Sequence, residues 1–144
     1  MSIANLSSIL KIFGGSAPSE EERQQVFKEA LLMTLSRASD SDENVSPVEV
    51  ETVQDIVMRV TGEDVSIADV RVAAASQLYE KAPLKNHLAK IASELNPQQR
   101  VIIVESLCEV IKSDVRVTDR EVEFFNMVAS ALKITPAELA GLYV

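Results

Sequence analysis

The chain has 144 residues, of which 47% are apolar and 25% charged, a composition typical of one folded domain rather than a disordered segment. A domain of this length buries about 70% of the surface that its unfolded chain exposes, so it needs no disulfide to fold. The formal net charge is −8; residues 1–72 carry 13 acidic and 6 basic side chains, and residues 73–144 carry 9 and 8. This charge repels nucleic acid and attracts cations or the basic surface of a protein partner.

Cysteine content and hydropathy indicate the cellular compartment and exclude cysteine-based sites. Cys108 is the only cysteine, which excludes an intrachain disulfide and a Cys-x-x-Cys site, and its apolar neighbours predict a buried side chain. The opening segment lacks the basic start and the small-residue cleavage site of a secretory signal, and no apolar run has the length of a membrane span. The sequence therefore predicts a cytoplasmic protein.

The first predicted element is an amphipathic helix near residues 4–13, which carries Lys11 as its only charge. Its apolar stripe consists of Ile3, Leu6, Ile9, Leu10 and Phe13. A Gly-rich link follows, so we divide the chain into residues 1–15, this helix and link, and residues 16–144, an all-helical domain. The helix either packs on its own domain or docks to a partner or a membrane surface.

Capping boxes mark the starts of the later helices. In each box, an N-cap side chain is followed three residues later by a side chain that can return the hydrogen bond. The pairs are Ser19 with Glu22, Ser46 with Glu49, Ser66 with Asp69, Asn96 with Gln99, Thr118 with Glu121, and Thr135 with Glu138. These signals predict an all-α fold, a single globular bundle of seven to eight helices. We place the helices near residues 4–13, 19–38, 46–61, 66–80, 84–94, 96–112, 118–132 and 135–142.

A ten-residue pattern occurs twice, at positions 72 residues apart. Asp-x-x-Val-[Ser/Thr]-x-x-Glu-Val-Glu spans residues 42–51 and again residues 114–123. The same shift aligns apolar positions in the flanking helices, such as Leu35 with Leu107 and Ile56 with Val128. We therefore predict two helical-hairpin repeats, residues 19–65 and 96–142, that pack about a pseudo-two-fold axis. The most apolar helices, 19–38 and 96–112, should be central.

The segment between the repeats contains the only basic cluster, formed by Lys81, Lys85, His87 and Lys90. Such a charged run is usually a solvated face, which we predict here, with a docking surface as the alternative. Because His87 is the only histidine, the chain cannot form the two Glu-x-x-His motifs of a di-iron bundle.

Helix capping explains part of the repeated pattern. Glu49 and Glu121 are the third residues of capped helices, where negative charge interacts favourably with the helix dipole. Val45 and Val117 precede the two N-caps, where an apolar residue commonly packs on the first helical turn as a hydrophobic staple.

Capping does not explain Asp42 and Asp114, because each lies four residues before its N-cap. Each aspartate either forms an Asx-turn or binds a cation or a partner. In the first loop, Asp40, Asp42 and Asn44 alternate like the oxygen ligands of a calcium loop. Val45 stands where that loop needs a glycine, so an EF-hand is not predicted.

The second loop has fewer oxygen ligands than the first. Lys112 and Arg116 stand at the positions that correspond to Asp40 and Asn44. If the repeats meet about a dyad, both loops could supply carboxylates to one calcium or magnesium ion, with the first loop contributing more. The candidate metal ligands are Asp42, Asp114, Glu49, Glu121, Asp40 and Asn44. We predict no cofactor other than such a cation.

The two acidic loops, each preceded by a long apolar helix and followed by Val-[Ser/Thr]-x-x-Glu, resemble those of the TerB (tellurite-resistance protein B-like) family. The Ala-Asp-Gly stretch common in that family corresponds here to Ser41-Asp42-Glu43 and Ser113-Asp114-Val115, which keep the aspartates and lack the glycines. The family's helical domain is also similar to the N-terminal part of DjlA-type co-chaperones. The resemblance implies an all-helical domain with an acidic surface cluster, for which divalent-cation binding and roles in stress or tellurite resistance are proposed. It points to Asp42, Glu49, Asp114 and Glu121.

The sequence carries no motif of a known reaction. It has no Gly-x-Ser-x-Gly, no Walker glycine-lysine motif and no dinucleotide-binding glycines. We therefore expect a non-enzymatic module whose acidic face binds a divalent cation or a basic partner. The alternative is a structural or adaptor protein that associates through its N-terminal helix, with the acidic motifs serving only as helix caps. The sequence does not define an oligomeric state.

Overall fold

The computed structural model describes residues 19–39, 47–74, 84–113 and 116–142, with the side chains of residues 39, 47–49 and 74 left undescribed. Within these ranges the chain forms seven α-helices and one 3₁₀ turn, without a β-strand, as the all-α prediction requires. The helices are α1 (Glu20–Ser39), α2 (Pro47–Thr61), α3 (Ile67–Ala74), α4 (Leu84–Ile91), α5 (Pro97–Lys112), α6 (Asp119–Ala131) and α7 (Pro136–Leu139), and the 3₁₀ turn is Ala92–Glu94. The helix predicted near residues 4–13 lies outside the described residues.

Two helix ends differ from the predicted boundaries. The helix expected over residues 84–94 tightens into the 3₁₀ turn at Ala92. The helix expected over residues 135–142 stops at Leu139, because Gly141 adopts a left-handed φ of +83°. Its N–H then bonds the carbonyl of Glu138, and the N–H of Leu142 bonds that of Ala137, which closes the helix.

The predicted capping boxes form in full at α3, α5, α6 and α7 and in part at α1. At α3, α5 and α7 the N-cap side chain accepts from the third helical N–H, and the third side chain accepts from the N-cap N–H. At α1 the N–H of Glu22 donates to the hydroxyl of Ser19, which donates to the Glu22 carboxylate. These bonds satisfy N–H groups that a helix start leaves without intrahelical partners.

Helix α1 lies at the centre of the described bundle. Every residue from Glu29 to Ser36 has 0% of its surface exposed, so the helix is buried around its whole circumference over two turns. A helix can be buried in this way only if other helices surround it. Helices α2, α3, α5 and α6 all pack against α1. The prediction that residues 19–38 form a central helix is therefore confirmed.

Helix α5 is the second central element. It packs against α1, α2, α6 and α7. Positions that the 72-residue shift aligns between α1 and α5 are buried in both helices, for example Leu35 with Leu107 and Leu31 with Ile103. Both central helices thus use corresponding positions for the core. The pseudo-two-fold relation between the repeats stays a prediction.

The basic cluster predicted to be a solvated face is only partly so. Lys85 and Lys90 are exposed, and Lys81 lies outside the described residues. His87, by contrast, is only 3% exposed, so the prediction was wrong for this residue. Its spacing gives the reason: with Leu84, Leu88 and Ile91 it forms the buried stripe of α4, at positions three, four and seven residues apart.

Arg100 joins α5 to the link between α6 and α7. Its Nη1 donates to the carbonyls of Leu132 and Lys133 at 3.1 and 3.2 Å, and its Nη2 lies 2.9 Å from a carboxylate oxygen of Glu138. Lys133 is a non-glycine residue with a positive φ of 56°, a conformation that needs support from its surroundings. Arg100 therefore fixes the turn that positions α7.

Replacing Arg100 with alanine should lower the free energy of unfolding by about 1.5–3 kcal/mol, because two carbonyls of the turn lose a charged donor. Arg59→Ala is the matched control. Arg59 also pairs with a carboxylate, since its Nη2 donates to both oxygens of Glu109 at 3.1 Å, but both side chains are exposed. Its loss should cost about 1 kcal/mol or less. Urea denaturation measures both values, and equal losses would contradict the role given to Arg100.

Glu138 should make stability depend on acidic pH. The hydrogen bond from the backbone N–H of Thr135 lowers the pKa of Glu138 from its ordinary 4.5; burial opposes the shift, and the Thr135 hydroxyl and Arg100 add to it. A carboxyl with a lowered pKa stabilises the fold fully above its unfolded pKa, and that contribution is lost as pH falls through the folded value. Glu138→Gln keeps an acceptor but cannot titrate. Below pH 4.5 its melting temperature should therefore fall less steeply than that of the wild type. Parallel curves would refute this contribution.

Candidate functional site

The structure describes one of the six predicted metal ligands in full. Asp40, Asp42, Asn44 and Asp114 lie outside the described residues, and Glu49 lies in the first turn of α2 with its side chain undescribed. Only Glu121, at the start of α6, has a described side chain. The predicted ligand set therefore stays a prediction.

Glu121 is engaged in the cap of α6. Its N–H donates to the hydroxyl oxygen of Thr118 at 3.2 Å, and its Oε1 accepts from the Thr118 N–H at 3.1 Å and from the Thr118 hydroxyl at 3.0 Å. Glu121 is only 5% exposed. The capping role predicted for this glutamate is confirmed, and the bonds around Oε1 hold the carboxylate against the helix start.

The helices that lead into the two acidic loops begin side by side. A polar cavity of about 310 Å³ is lined by Glu20, Arg23 and Gln24 from the start of α1 and by residues 93–96 and Gln99 around the start of α5. The two helices also pack against each other. We infer that α1 and α5 run in a similar direction. Their C-terminal ends, from which both acidic loops continue, then point toward the same end of the bundle.

Basic side chains flank the second acidic loop. Lys112 ends α5 and Arg116 follows Asp114 closely, and both are exposed. The end of α5 is closed by Ser113, whose N–H and hydroxyl both donate to the carbonyl of Val110, at 3.2 and 2.6 Å. Two exposed cations beside one aspartate weaken the attraction of this loop for a metal ion. The two basic side chains that the sequence places beside the second loop are thus on the surface.

An apolar groove between α5 and α6, the α5–α6 groove, adjoins the second loop and was not predicted from the sequence. The groove has a volume of about 170 Å³ and lies between the end of α5 and the start of α6. Its lining residues are Cys108, Ile111, Lys112, Val117, Val122 and Phe125. Val122 stands at the fourth helical position of α6, the residue on which a staple packs. Since Val117 and Val122 line one groove, their placement agrees with the predicted staple.

Cys108 and the two valines are more exposed than a core position would be. Cys108 is half-buried in the groove wall, so its predicted burial is only partial. Val117 and Val122 have 51% and 46% of their surface exposed. The sequence signal for this groove was weak, because an apolar residue at a staple position is expected whether or not the surface around it is covered.

The described part of the chain contains neither a metal-binding cluster nor a helix suited to span a membrane. No group of three or more histidine, cysteine, aspartate or glutamate side chains is arranged to hold a metal ion there. Nor does any helix within residues 19–39, 47–74, 84–113 and 116–142 combine the length and the apolar character needed to cross a bilayer.

Comparison with known protein families shows which family the chain resembles. The model of a family described as tellurite resistance protein TerB matches residues 28–142, which include all seven described helices apart from the first residues of α1. No curated protein and no solved structure matches the chain. The similarity to DjlA-type co-chaperones is not among the findings and stays a prediction.

The cap of α6 gives a test of how much the repeated motif contributes to folding. Thr118→Ala should lower the free energy of unfolding by about 0.5–2 kcal/mol, because the Glu121 N–H loses its acceptor and the Glu121 carboxylate loses one of its two donors. Glu121→Gln should cost less, since an amide oxygen can still accept from the Thr118 N–H. Chemical denaturation of the two variants checks the order. A larger loss for Glu121→Gln would mean that the charge of Glu121 has a role beyond the cap.

Proposed function

Because the chain belongs to the TerB family of tellurite resistance proteins, we propose that it is a non-enzymatic module of the stress response whose acidic loops bind a divalent cation or a basic partner surface. The family match over residues 28–142 is the observation that carries this proposal. The loop aspartates Asp42 and Asp114, which capping leaves unexplained, are the residues to which we assign the binding.

The packing of the helices supports a shared acidic face. Helix α1 packs on α2 as α5 packs on α6, and the cross-contacts of α2 with α5 and of α1 with α6 also correspond. This is the pattern expected of two hairpins about a pseudo-two-fold axis. With α1 and α5 running in a similar direction, the loops that follow them start from the same end of the bundle. Carboxylates from both loops are then candidates for one calcium or magnesium ion.

The first loop should contribute most of the binding. It carries Asp40, Asp42 and Asn44, whereas the second loop is flanked by Lys112 and Arg116. We assign Glu121 to the cap rather than to the ion, because its Oε1 already accepts two hydrogen bonds from Thr118. By the repeat, Glu49 has the same role at the start of α2.

A divalent cation at 100 times its dissociation constant should raise the free energy of unfolding by about 2.7 kcal/mol. We expect thermal unfolding to show a melting temperature that rises with calcium or magnesium concentration. Asp42→Asn should abolish the rise and Asp114→Asn should reduce it. Asp55→Asn removes an exposed carboxylate from the middle of α2 and is the matched control, which should respond like the wild type.

The dependence of the melting temperature on cation concentration distinguishes binding of a divalent cation from binding of a basic partner. An unchanged melting temperature in millimolar calcium, magnesium and manganese would exclude the cation version. Binding of a basic protein surface would then be tested by its dependence on salt and on Asp42, since exposed charges are screened at high ionic strength. If neither ligand depends on the aspartates, the acidic motifs are caps, and the alternative of a structural or adaptor protein replaces the proposal.

A further inference from the structure

The α5–α6 groove is an exposed apolar surface beside a charged loop. Five of its six lining residues are apolar or a thiol, and Lys112 is the exception. Covering such a surface is favourable by about 25 cal/mol for each Å² of apolar area removed from water. The groove therefore has the character of a docking site for an apolar side-chain stripe.

The corresponding face of the first hairpin is covered. Val50 and Val53 are the repeat equivalents of Val122 and Phe125, and they are only 4% and 0% exposed. In the first hairpin α3 packs against both α1 and α2, whereas in the second the four-residue α7 packs on α5 and α4 packs on α6, and neither α4 nor α7 contributes to the lining of the groove. The second hairpin thus leaves open a face that the first hairpin buries.

We propose that the N-terminal segment, residues 3–13, docks its apolar stripe into the α5–α6 groove. This segment lies outside the described residues, and the sequence predicts an amphipathic helix near residues 4–13, about 15 Å long. The five large apolar side chains of its stripe match the groove in chemistry. Its one charge, Lys11, is complementary to Asp119 and Glu123, which α6 exposes on the flank beside Val122.

The chain is long enough for this contact. Glu20 shares a cavity with Gln99 near the start of α5. The groove lies about 18 Å further along α5, which is the rise of the helix from Gln99 to Ile111, and about 10 Å to the side, which is the diameter of one helix. Six Cα-to-Cα steps separate Phe13 from Ser19 and span about 20 Å when extended, and the docked helix itself covers further distance. The segment can therefore reach the groove from the start of α1.

Attachment to the same chain favours this segment over other occupants. A tethered segment acts at an effective concentration in the millimolar range, so weak apolar contacts suffice to keep it docked. A free partner helix, or the N-terminal segment of a second copy, would have to bind without that advantage. The docked segment would cover the surface next to the second acidic loop.

Cys108 provides the test, because it is the only cysteine and it lines the groove. We expect its thiol to react slowly with a disulfide reagent such as DTNB in the full chain. Leu10→Asp should raise the reaction rate about tenfold. If the segment is docked about nine-tenths of the time, the thiol is accessible for about one-tenth of the time, and release of the segment makes it accessible throughout. Ser8→Asp places the same charge on the opposite face of the predicted helix and should leave the rate unchanged. Circular dichroism confirms that both variants remain folded.

A cross-link gives a second, direct readout. In the full chain, Leu10→Cys should form an intramolecular disulfide with Cys108 under mild oxidation, and Ser8→Cys should not. Peptide mass spectrometry identifies the link, and a non-reducing gel shows whether it joins one chain or two. Equal thiol rates for Leu10→Asp, Ser8→Asp and the wild type would overturn the proposal. A link between two chains in place of the internal one would assign the groove to a second copy.

Discussion

Burial of α1 around its whole circumference is the constraint on which the rest of the described bundle depends. Eight consecutive residues, Glu29 to Ser36, are removed from water, and four other helices are needed to enclose them. A surrounding helix such as α2 or α6 then needs only one apolar face, which is why these two helices are amphipathic.

The need to enclose α1 also gives part of the acidic motif a structural role, because the surrounding helices start at the edge of the core. A helix that starts at the edge of the core must satisfy its free N–H groups locally, and Thr118 and Glu121 do so at α6. Glu121 is buried and Thr118 is half-buried, and the hydrogen bonds between them occupy their polar groups. The aspartates four residues before each N-cap lie outside the capping box, which is why the proposed function assigns the binding to them.

Local signals made much of the fold predictable from the sequence. Capping pairs and the apolar stripes of α1 and α5 depend on neighbours within one helix, and they gave the helix order and the central pair. His87 was misjudged, and the burial of Cys108 was only partly predicted, because both depend on which helices pack beside α4 and α5. The same distinction holds for the candidate site. The cap at Thr118 depends on neighbours in the sequence and was predicted, whereas the groove forms only where α5 and α6 meet.

The two predicted repeats bury corresponding positions of α1 and α5 but differ in the sequence of their loops and in the burial of one apolar face. The first loop carries three oxygen-bearing side chains, and Val50 and Val53 beside it are buried. The second loop has Lys112 and Arg116 in place of two of those side chains, and its equivalent apolar face is open. The second repeat keeps the cap and the core positions although it has fewer carboxylates, because neither the cap at Thr118 nor the buried face of α5 depends on the loop side chains. Fold and loop charge can therefore vary independently in this chain, and the open apolar face beside the second loop is the clearest difference that the described residues show.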